Sequence, residues 1–197
     1  MQYAKDAIRQ KILEIARGEF LEKGFERASI RSITAKAKTS KSNLYNYYPD
    51  KDALFCAVLT PTINQIQIGL ALAKQYNVPK EVDDYTLSSQ QDVITAIYHF
   101  LVENANDARL LLFRAQGSSL ENYKYEVLDS FAENMSEWTA SIHSKRPVSR
   151  LFVKTVCSFY FNMIEQLLRE ETPTEIKEFI REISGFIYYG WKNVLSD

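Results

Sequence analysis

The sequence has few of the residues from which catalytic and metal sites are usually built. It contains two cysteines and two histidines in 197 residues. Cys56 and Cys157 lie in separate apolar patterns, so we expect reduced, buried thiols rather than a disulfide. The chain also lacks a glycine-rich phosphate loop, a His/Cys cluster with metal-ligand spacing and a nucleophile elbow. These absences argue against an enzyme, and we expect neither a cofactor nor a bound metal.

Long apolar runs are also absent. Nearly apolar stretches such as Ala96 to Val102 are far shorter than the roughly 18 residues that a membrane-spanning helix needs. Met1 to Asp6 lead directly into an amphipathic pattern, with no apolar signal core. We therefore expect a soluble protein that works in the cytoplasm and has no membrane partner.

The chain as a whole has no large excess of either charge, because its formal net charge is −1. The distribution is uneven, since residues 1–60 carry +4 and residues 61–197 carry −5. Between Arg27 and Tyr48 there are five basic residues and no acidic one. A run of charge is commonly a solvated face, but this run coincides with a DNA-binding pattern described below. We therefore expect it to face a phosphate backbone.

Apolar residues at helical spacing are abundant and occur in almost every segment. Strand signals are missing, which predicts an all-α fold of about nine helices. The predicted helices are about 4–23, 30–37, 41–47, 51–70, 90–104, 106–116, 120–144, 148–171 and 174–195. Pro61 either kinks or divides the fourth of these. The polar stretch from Tyr76 to Ser89 is predicted to be one long loop.

Capping signals place two short helices next to each other near the N-terminus. Gly24 is expected in a left-handed conformation at the end of the first helix, because it has no Cβ to clash there. Ser29, Ser40 and Asp50 are predicted N-caps of the second, third and fourth helices. Two short helices separated by about three residues form a helix-turn-helix, whose second helix enters the major groove of DNA. Leu44 would anchor that helix inward, while its first turn exposes short polar and basic side chains.

The segment from Ile8 to Phe55 resembles the TetR-type regulators. The resemblance is carried by FLEKGF at 20–25, ASIRSI at 28–33 and TSKSNLYNYYPDKDALF at 39–55. It implies an N-terminal three-helix DNA-binding domain over residues 1–50, and a C-terminal helical ligand-binding and dimerisation domain over residues 51–197. The DNA-binding residues that follow are Ser29, Tyr45, Tyr47 and Lys51 at phosphates, Lys41, Ser42 and Asn43 at bases, and Lys38, Thr39 and Ser40 in the turn and cap.

Two positions depart from the family pattern. Tyr48 stands where an inward phenylalanine is usual, so its hydroxyl needs a partner or a route to solvent. The turn reads Ala37-Lys38-Thr39 instead of Ala-Gly-Val. Lysine at a position that favours positive φ costs on the order of 1 kcal/mol. We therefore expect an altered turn, which bears on operator geometry more than on DNA binding itself.

The last two predicted helices are apolar over more than one face, so they need cover on two sides. Two-fold symmetry would bring two helix-turn-helix motifs, which we call the reading heads, to one face of the duplex. This favours a homodimer on a palindromic operator. The resemblance implies that this helix pair docks on its symmetry mate, with Gly185 and Gly190 allowing close approach. The alternative is a pair that is buried within one subunit. The candidate interface residues are Phe152, Met163, Ile180, Ile183, Ile187 and Trp191.

Aromatic residues of the middle helices are candidates for a small-molecule pocket, although such a set is more often plain core. The candidate ligand contacts are Tyr98, Phe113, Arg114, Tyr123, Phe131, Trp138, Phe159 and Tyr160. A ligand bound there would change the spacing of the two reading heads and release the operator.

The sequence therefore predicts a TetR-type transcriptional regulator, by the habit of that family a repressor. It would bind an operator in double-stranded DNA as a homodimer and respond to a small-molecule effector. The alternative is a helical ligand-binding or adaptor protein that keeps the fold without regulating DNA.

Overall fold

The computed structural model describes residues 2–75, 86–142, 147–169 and 176–196. All secondary structure in these ranges is helical, which confirms the all-α prediction. Most of the predicted loop from Tyr76 to Ser89 lies outside the described residues. The helices are α1 (Gln2–Arg27), α2 (Ile30–Ala37), α3 (Lys41–Tyr45), α4 (Lys51–Gln75), α5 (Leu87–Glu103), α6 (Ala105–Phe113), α7 (Tyr123–Ser141), α8 (Arg150–Arg169) and α9 (Ile176–Ser196).

The chain divides into two compact units. Unit 1 comprises Met1–Ile66 and Asn106–Lys124, and unit 2 comprises Gln67–Ala105 and Tyr125–Asp197. The N-terminal helices are therefore joined in unit 1 by a segment from the middle of the chain, α6 and the residues after it. The functional boundary after residue 50 stays a prediction.

The predicted helix ends of unit 1 are present. The Ser29 side chain accepts a hydrogen bond from the Ser32 N–H, and the Ser40 side chain accepts one from the Asn43 N–H. Asp50 caps α4 by accepting from the Ala53 N–H at 2.7 Å. Each cap satisfies an N–H that has no partner inside its own helix, which favours the helix start by about 1 kcal/mol.

Gly24 interrupts α1 as expected, but with φ 74° and ψ 165° rather than a left-handed helical ψ. This extended break takes the Phe25 N–H out of the helical ladder, and it donates instead to the Arg114 carbonyl at 2.8 Å. The chain resumes one further helical turn to Arg27.

Pro61 does not divide α4, which is continuous from Lys51 to Gln75. By length and composition this helix is the one among the described residues that could cross a membrane, a property shared by core helices of soluble proteins. Four side chains in its first half are at most 1% exposed: Leu54, Phe55, Val58 and Leu59. Packing within unit 1 thus accounts for the apolar character of its first half.

The core of unit 1 is built around an aromatic trio. The rings of Phe20 and Phe55 meet edge to face at 4.9 Å, and Phe25 lies 5.1 Å from Phe55. Burial of each such side chain contributes about 1.5–3 kcal/mol. The trio joins α1 to α4 and thereby supports the two short helices between them.

A second core fills unit 2, where Trp138 of α7 meets Trp191 of α9 edge to face at 5.5 Å. The Trp191 Nε1–H donates to the Tyr160 hydroxyl at 2.7 Å, which satisfies the indole in an apolar setting. Burial raises the pKa of Tyr160 to about 12, and it raises the pKa of the Cys157 thiol to about 11. These groups therefore stay neutral. Cys157 is a buried free thiol as expected, whereas Cys56 is a free thiol that is only half-buried.

Candidate nucleic-acid interface

The turn between α2 and α3 is closed by a lysine in a left-handed conformation. Lys38 has φ 55° and ψ 46°, and its N–H donates to the Ala35 carbonyl at 3.2 Å. The Thr39 N–H reaches back to the Thr34 carbonyl at 3.0 Å. These are the bonds of a helix C-cap that usually has glycine at this position. The turn therefore keeps its ordinary backbone shape despite the lysine, and the altered turn expected from the sequence is not present.

The helix α3 presents a sharply two-sided surface. Leu44 is fully buried, as expected of the inward anchor, while Lys41, Ser42 and Tyr45 are exposed. Asn43 is half-buried, and its amide Nδ2 donates to the Thr39 Oγ1 at 2.8 Å. The polar and basic residues at the start of α3 thus face outward from a rigid apolar attachment.

A buried carboxylate that sequence reasoning missed holds α2 in place. Glu19 of α1 is 1% exposed, and it receives hydrogen bonds from Lys23, Lys36, the Ser32 hydroxyl and the Ser29 N–H. Burial alone raises the pKa of Glu19, but these donors outweigh it and bring the pKa to about 2. The carboxylate is therefore charged at neutral pH, and it ties the N-terminus of α2 to α1. Only Lys23 lies on the same helix; the other three partners, Ser29, Ser32 and Lys36, lie beyond α1, so no local pattern marks this residue.

The cations of the basic run differ in their surroundings. Lys36 lies 2.9 Å from the Glu19 carboxylate, and the Arg27 Nε donates to the Lys23 carbonyl at 3.3 Å. All five side chains are exposed, but Lys36 is paired with the charged Glu19. The net positive charge of this run therefore comes mainly from the other four cations: Arg27, Arg31, Lys38 and Lys41.

Two further residues of the motif make contacts within unit 1. The Tyr48 hydroxyl, which needed a partner, accepts from the Arg9 Nε at 3.3 Å and the ring is buried. The Lys51 ammonium donates to the carbonyls of Phe25, Glu26 and Ala28. Ser29 is the α2 cap, and Tyr47 is half-buried beside Tyr48. The phosphate contacts implied for Ser29, Tyr45, Tyr47 and Lys51 stay predictions.

The segment 106–124 is fastened to α1 and α4. Asp107 of α6 is buried, and its Oδ2 accepts from Arg17 Nη2 at 3.1 Å and from the Thr62 hydroxyl at 2.8 Å. The Arg17 Nε lies 2.8 Å from the other carboxylate oxygen, as an ion pair outside the N–H direction. The Ser119 N–H donates to the Asp52 carboxylate at 2.8 Å. A charge-assisted network thus connects α6 to the helices that carry the helix-turn-helix.

The predicted ligand contacts belong to two different units. Phe113, Arg114 and Tyr123 are in unit 1, whereas Tyr98, Phe131, Trp138, Phe159 and Tyr160 are in unit 2. Tyr98 lines a narrow cleft whose free volume is only about 10 Å³. Its other lining residues among those described are apolar: Ile94, Ile97, Leu101, Met163, Ile164, Leu167, Phe179 and Ile180. The role of the eight predicted contacts stays a prediction.

The predicted interface residues also fall into two groups. Ile183, Ile187 and Trp191 are buried in the core of unit 2, and Met163 and Ile180 are partly buried against it. Phe152 is 40% exposed. Five exposed apolar side chains form what we call the α8–α9 face: Leu151, Phe152, Phe159, Phe186 and Tyr189.

Comparison with known proteins points to one group. Residues 12–58 match the family described as bacterial regulatory proteins, tetR family. The HTH-type transcriptional regulator YvdT of Bacillus subtilis is 27% identical over 191 residues, which cover 89% of this chain and 94% of that protein.

Solved structures of similar fold include a TetR-like transcriptional regulator from Rhodococcus sp. RHA1, with a TM-score of 0.65, 17% identity and coverage of 96% and 97% of the two chains. Another is NalD of Pseudomonas aeruginosa, the secondary repressor of a multidrug efflux pump, with a TM-score of 0.66, 17% identity and coverage of 92% and 95%.

Proposed function

We propose that this chain, whose residues 12–58 match the tetR family of bacterial regulatory proteins, is a homodimeric repressor that an apolar small molecule releases from its operator. One observation carries the DNA-binding part. The start of α3 exposes Lys41 and Ser42 while Leu44 is fully buried beneath them. A helix held in this way can enter a major groove with its polar face outward.

In this proposal Lys41, Ser42 and Asn43 lie over the bases. The Asn43 amide is oriented by its bond to Thr39. An oriented asparagine amide can donate to N7 and accept from N6 of adenine, which is the usual asparagine–base pairing. We therefore expect an adenine opposite Asn43 in each half-site. Tyr45, Tyr47, Ser29 and the exposed cations Arg31 and Lys38 would meet flanking phosphates.

The experiment that tests this proposal enriches genomic fragments on the purified full-length protein and then measures binding to the recovered site at several salt concentrations. We expect a palindromic site and an affinity that falls steeply with salt, with a slope of about −0.9 per phosphate contact. Asn43→Ala should relax the choice of base at one position in each half-site. Lys74→Ala, which alters an exposed pair with Glu137 in unit 2, is the matched control and should leave binding unchanged.

A protein that keeps the fold without regulating DNA is the rival function. It would enrich no site, and it would show no salt-dependent binding to titrate. The same experiment therefore decides between the two functions.

The dimer is proposed to form through the α8–α9 face. Phe186 and Tyr189 are 67% and 65% exposed, and the Phe159 ring lies 5.8 Å from Phe186. A Cβ added at Gly185 or Gly190 would meet open space within one chain, so both glycines leave room for a partner helix. A second copy packed on this face would cover its apolar side chains and set the two reading heads about 34–36 Å apart.

The effector site is proposed at the apolar cleft between α5, α8 and α9, which has to widen before it can admit a ligand. The Tyr98 hydroxyl is the one polar side-chain group among its described lining residues. Burying a charged or strongly polar group there would cost free energy without compensating hydrogen bonds. The part of the effector that enters should therefore be apolar and uncharged. Its binding would release DNA only if it prefers one conformation of the dimer over the other.

A further inference from the structure

Arg9 of α1 lies against Tyr48, which follows the end of α3. The Arg9 Nε donates to the Tyr48 hydroxyl at 3.3 Å, although 39 positions separate the two residues. The Tyr48 ring is 3% exposed, whereas Arg9 is exposed. The guanidinium therefore lies at the surface of unit 1, and a buried tyrosine holds its Nε.

The bond to Tyr48 engages only one part of the guanidinium. Arginine has five N–H donors in a planar fork and no acceptor. The Nε–H is directed to Tyr48, and among the described residues the Nη atoms of Arg9 make no hydrogen bond. The four N–H groups on these atoms match the spacing of two phosphate oxygens, which is why arginine can bind phosphate in a bidentate manner.

The end of α3 has no cation of its own in the sequence. Lys41 and Lys51 are consecutive basic residues, and none occurs at positions 42–50 between them. Tyr47, which is proposed to meet a phosphate there, contributes only a hydroxyl. Its ring lies 6.4 Å from that of Tyr48. A phosphate at the Tyr47 hydroxyl would therefore come close to the guanidinium that Tyr48 holds.

Asp6 is the acidic group that acts on Arg9. It is exposed and lies three positions earlier on α1. Exposed pairs at this spacing are weak and are screened by salt. Asp6 therefore leaves the Nη groups accessible to a stronger anionic partner.

We propose that Arg9 is a further DNA contact of unit 1, which binds a backbone phosphate beside the end of α3 while the Tyr48 hydroxyl orients its guanidinium. The inference rests on the proposed function, because it adds a contact to the same interface. The motif at residues 20–55 gives no sign of this contact, since Arg9 lies outside it and meets Tyr48 only through the tertiary structure.

The first test measures how DNA binding depends on salt for the wild type, Arg9→Met, Lys11→Met and Lys41→Met. Lys11 is an exposed cation two positions after Arg9, about 200° around the same helix, so Lys11→Met is the matched control. The recovered operator and an unrelated duplex of equal length are both used, because phosphate contacts do not depend on sequence. For Arg9→Met we expect the slope to become shallower by about 0.9 per subunit on both duplexes. For Lys11→Met it should equal that of the wild type.

The second test locates the phosphate by replacing operator phosphates one at a time with neutral methylphosphonates. We expect one position in each half-site where the replacement weakens the wild type several-fold but has little effect on Arg9→Met. Tyr48→Phe keeps the charge of Arg9 and removes the hydroxyl that orients it. Its salt slope should therefore stay unchanged, while its affinity should fall about threefold.

An Arg9→Met slope equal to that of the wild type would overturn the inference, and so would equal responses of the two proteins at every replaced phosphate. Wild-type affinity of Tyr48→Phe would contradict the orienting role of the hydroxyl. Should Arg9→Met fail to fold, Arg9→Gln takes its place, because its amide can still donate to Tyr48.

A failure of the proposed function has a different signature. The wild type would then bind neither duplex, which would overturn both proposals. If Lys41→Met makes the slope shallower and Arg9→Met does not, the proposed function stands and the contact by Arg9 alone is excluded.

Discussion

At the scale of single residues, Lys38 shows a conflict between side chain and backbone. It is the one described non-glycine residue with positive φ. A Cβ in this region clashes with the following carbonyl at a cost of about 1–2 kcal/mol, part of which glycine would return as unfolded-state entropy. The hydrogen bonds of the turn hold the residue there, and its charge is left exposed next to α3.

We expect Lys38→Gly to raise the free energy of unfolding by on the order of 1 kcal/mol, because it relieves the left-handed backbone. Urea denaturation at fixed protein concentration measures this. Lys38→Ala is the control, since it removes the same charge but keeps the Cβ. Equal gains for both variants would show that charge, and not the backbone, sets the cost.

The buried carboxylate of Glu19 predicts how the free energy of unfolding depends on pH. Its pKa is lowered from 4.5 to about 2, so its ion pairs and hydrogen bonds stabilise the fold fully above pH 4.5. This stabilisation, about 3 kcal/mol, is lost as the pH falls from there towards 2. Glu19→Gln should therefore be less stable at pH 7 and should show a flatter dependence of unfolding free energy on acid pH.

Urea titrations at neutral and acid pH check the Glu19 prediction. The control is Glu178→Gln, because the pKa of Glu178 is also lowered by its partner Arg181 but the pair is exposed to solvent. If both variants lower the pH dependence equally, the buried position of Glu19 is not the reason for its contribution.

At the scale of the elements, α8 and α9 each combine a buried side with an exposed apolar side. Cys157 and Ile187 face the core of unit 2, while Phe159 and Phe186 face solvent within one chain. A helix pair that is apolar on two sides is stable in water only if the outer side is covered. This pattern is the physical basis for the proposed dimer.

We expect Phe186→Glu to convert the proposed dimer to monomer at micromolar concentration, because a charge would have to be buried against a second copy. Sedimentation velocity measures the change, and operator affinity should fall with it. Val102→Glu, at a residue of α5 with 55% exposure, is the matched control and should remain dimeric. A Phe186→Glu protein that sediments as the wild type does would place the interface elsewhere.

At the scale of the whole molecule, the proposed regulation requires that binding in unit 2 alters DNA binding by unit 1. Within unit 1, α6 is attached to α1 and α4, because Asp107 accepts hydrogen bonds from Arg17 and Thr62. A coupling of about 1–3 kcal/mol between the two sites would lower operator affinity some five- to 150-fold.

We expect decanol to release operator more effectively than decanoate at equal concentration, because the carboxylate would be desolvated in the apolar cleft. Fluorescence anisotropy of labelled operator measures the release. Ile97→Trp, at a lining residue, should weaken the response several-fold while operator binding without ligand stays unchanged. Val93→Trp, one turn earlier on α5 and not among the lining residues, should respond normally. An equal response from the two variants would remove the cleft as the effector site.

The sequence by itself determined the local structure of this protein. The helices, the caps at Ser29, Ser40 and Asp50, the break at Gly24 and the inward Leu44 follow from residues a few positions apart. Such signals are local because helix ends and periodic faces are formed by near neighbours. For the same reason the helix-turn-helix could be recognised before any tertiary contact was known.

Only the tertiary structure decided which polar groups meet. The partners lie far apart in the chain. Glu19 and Lys36 are separated by 17 positions, and Arg17 and Asp107 by 90. Lys51 is 23–26 positions from the carbonyls that it contacts at the end of α1. Packing also decided that Trp138 and Trp191 are core and that Phe186 is exposed. An amphipathic pattern states that a face is apolar, but the neighbour that covers it depends on how all the helices pack together.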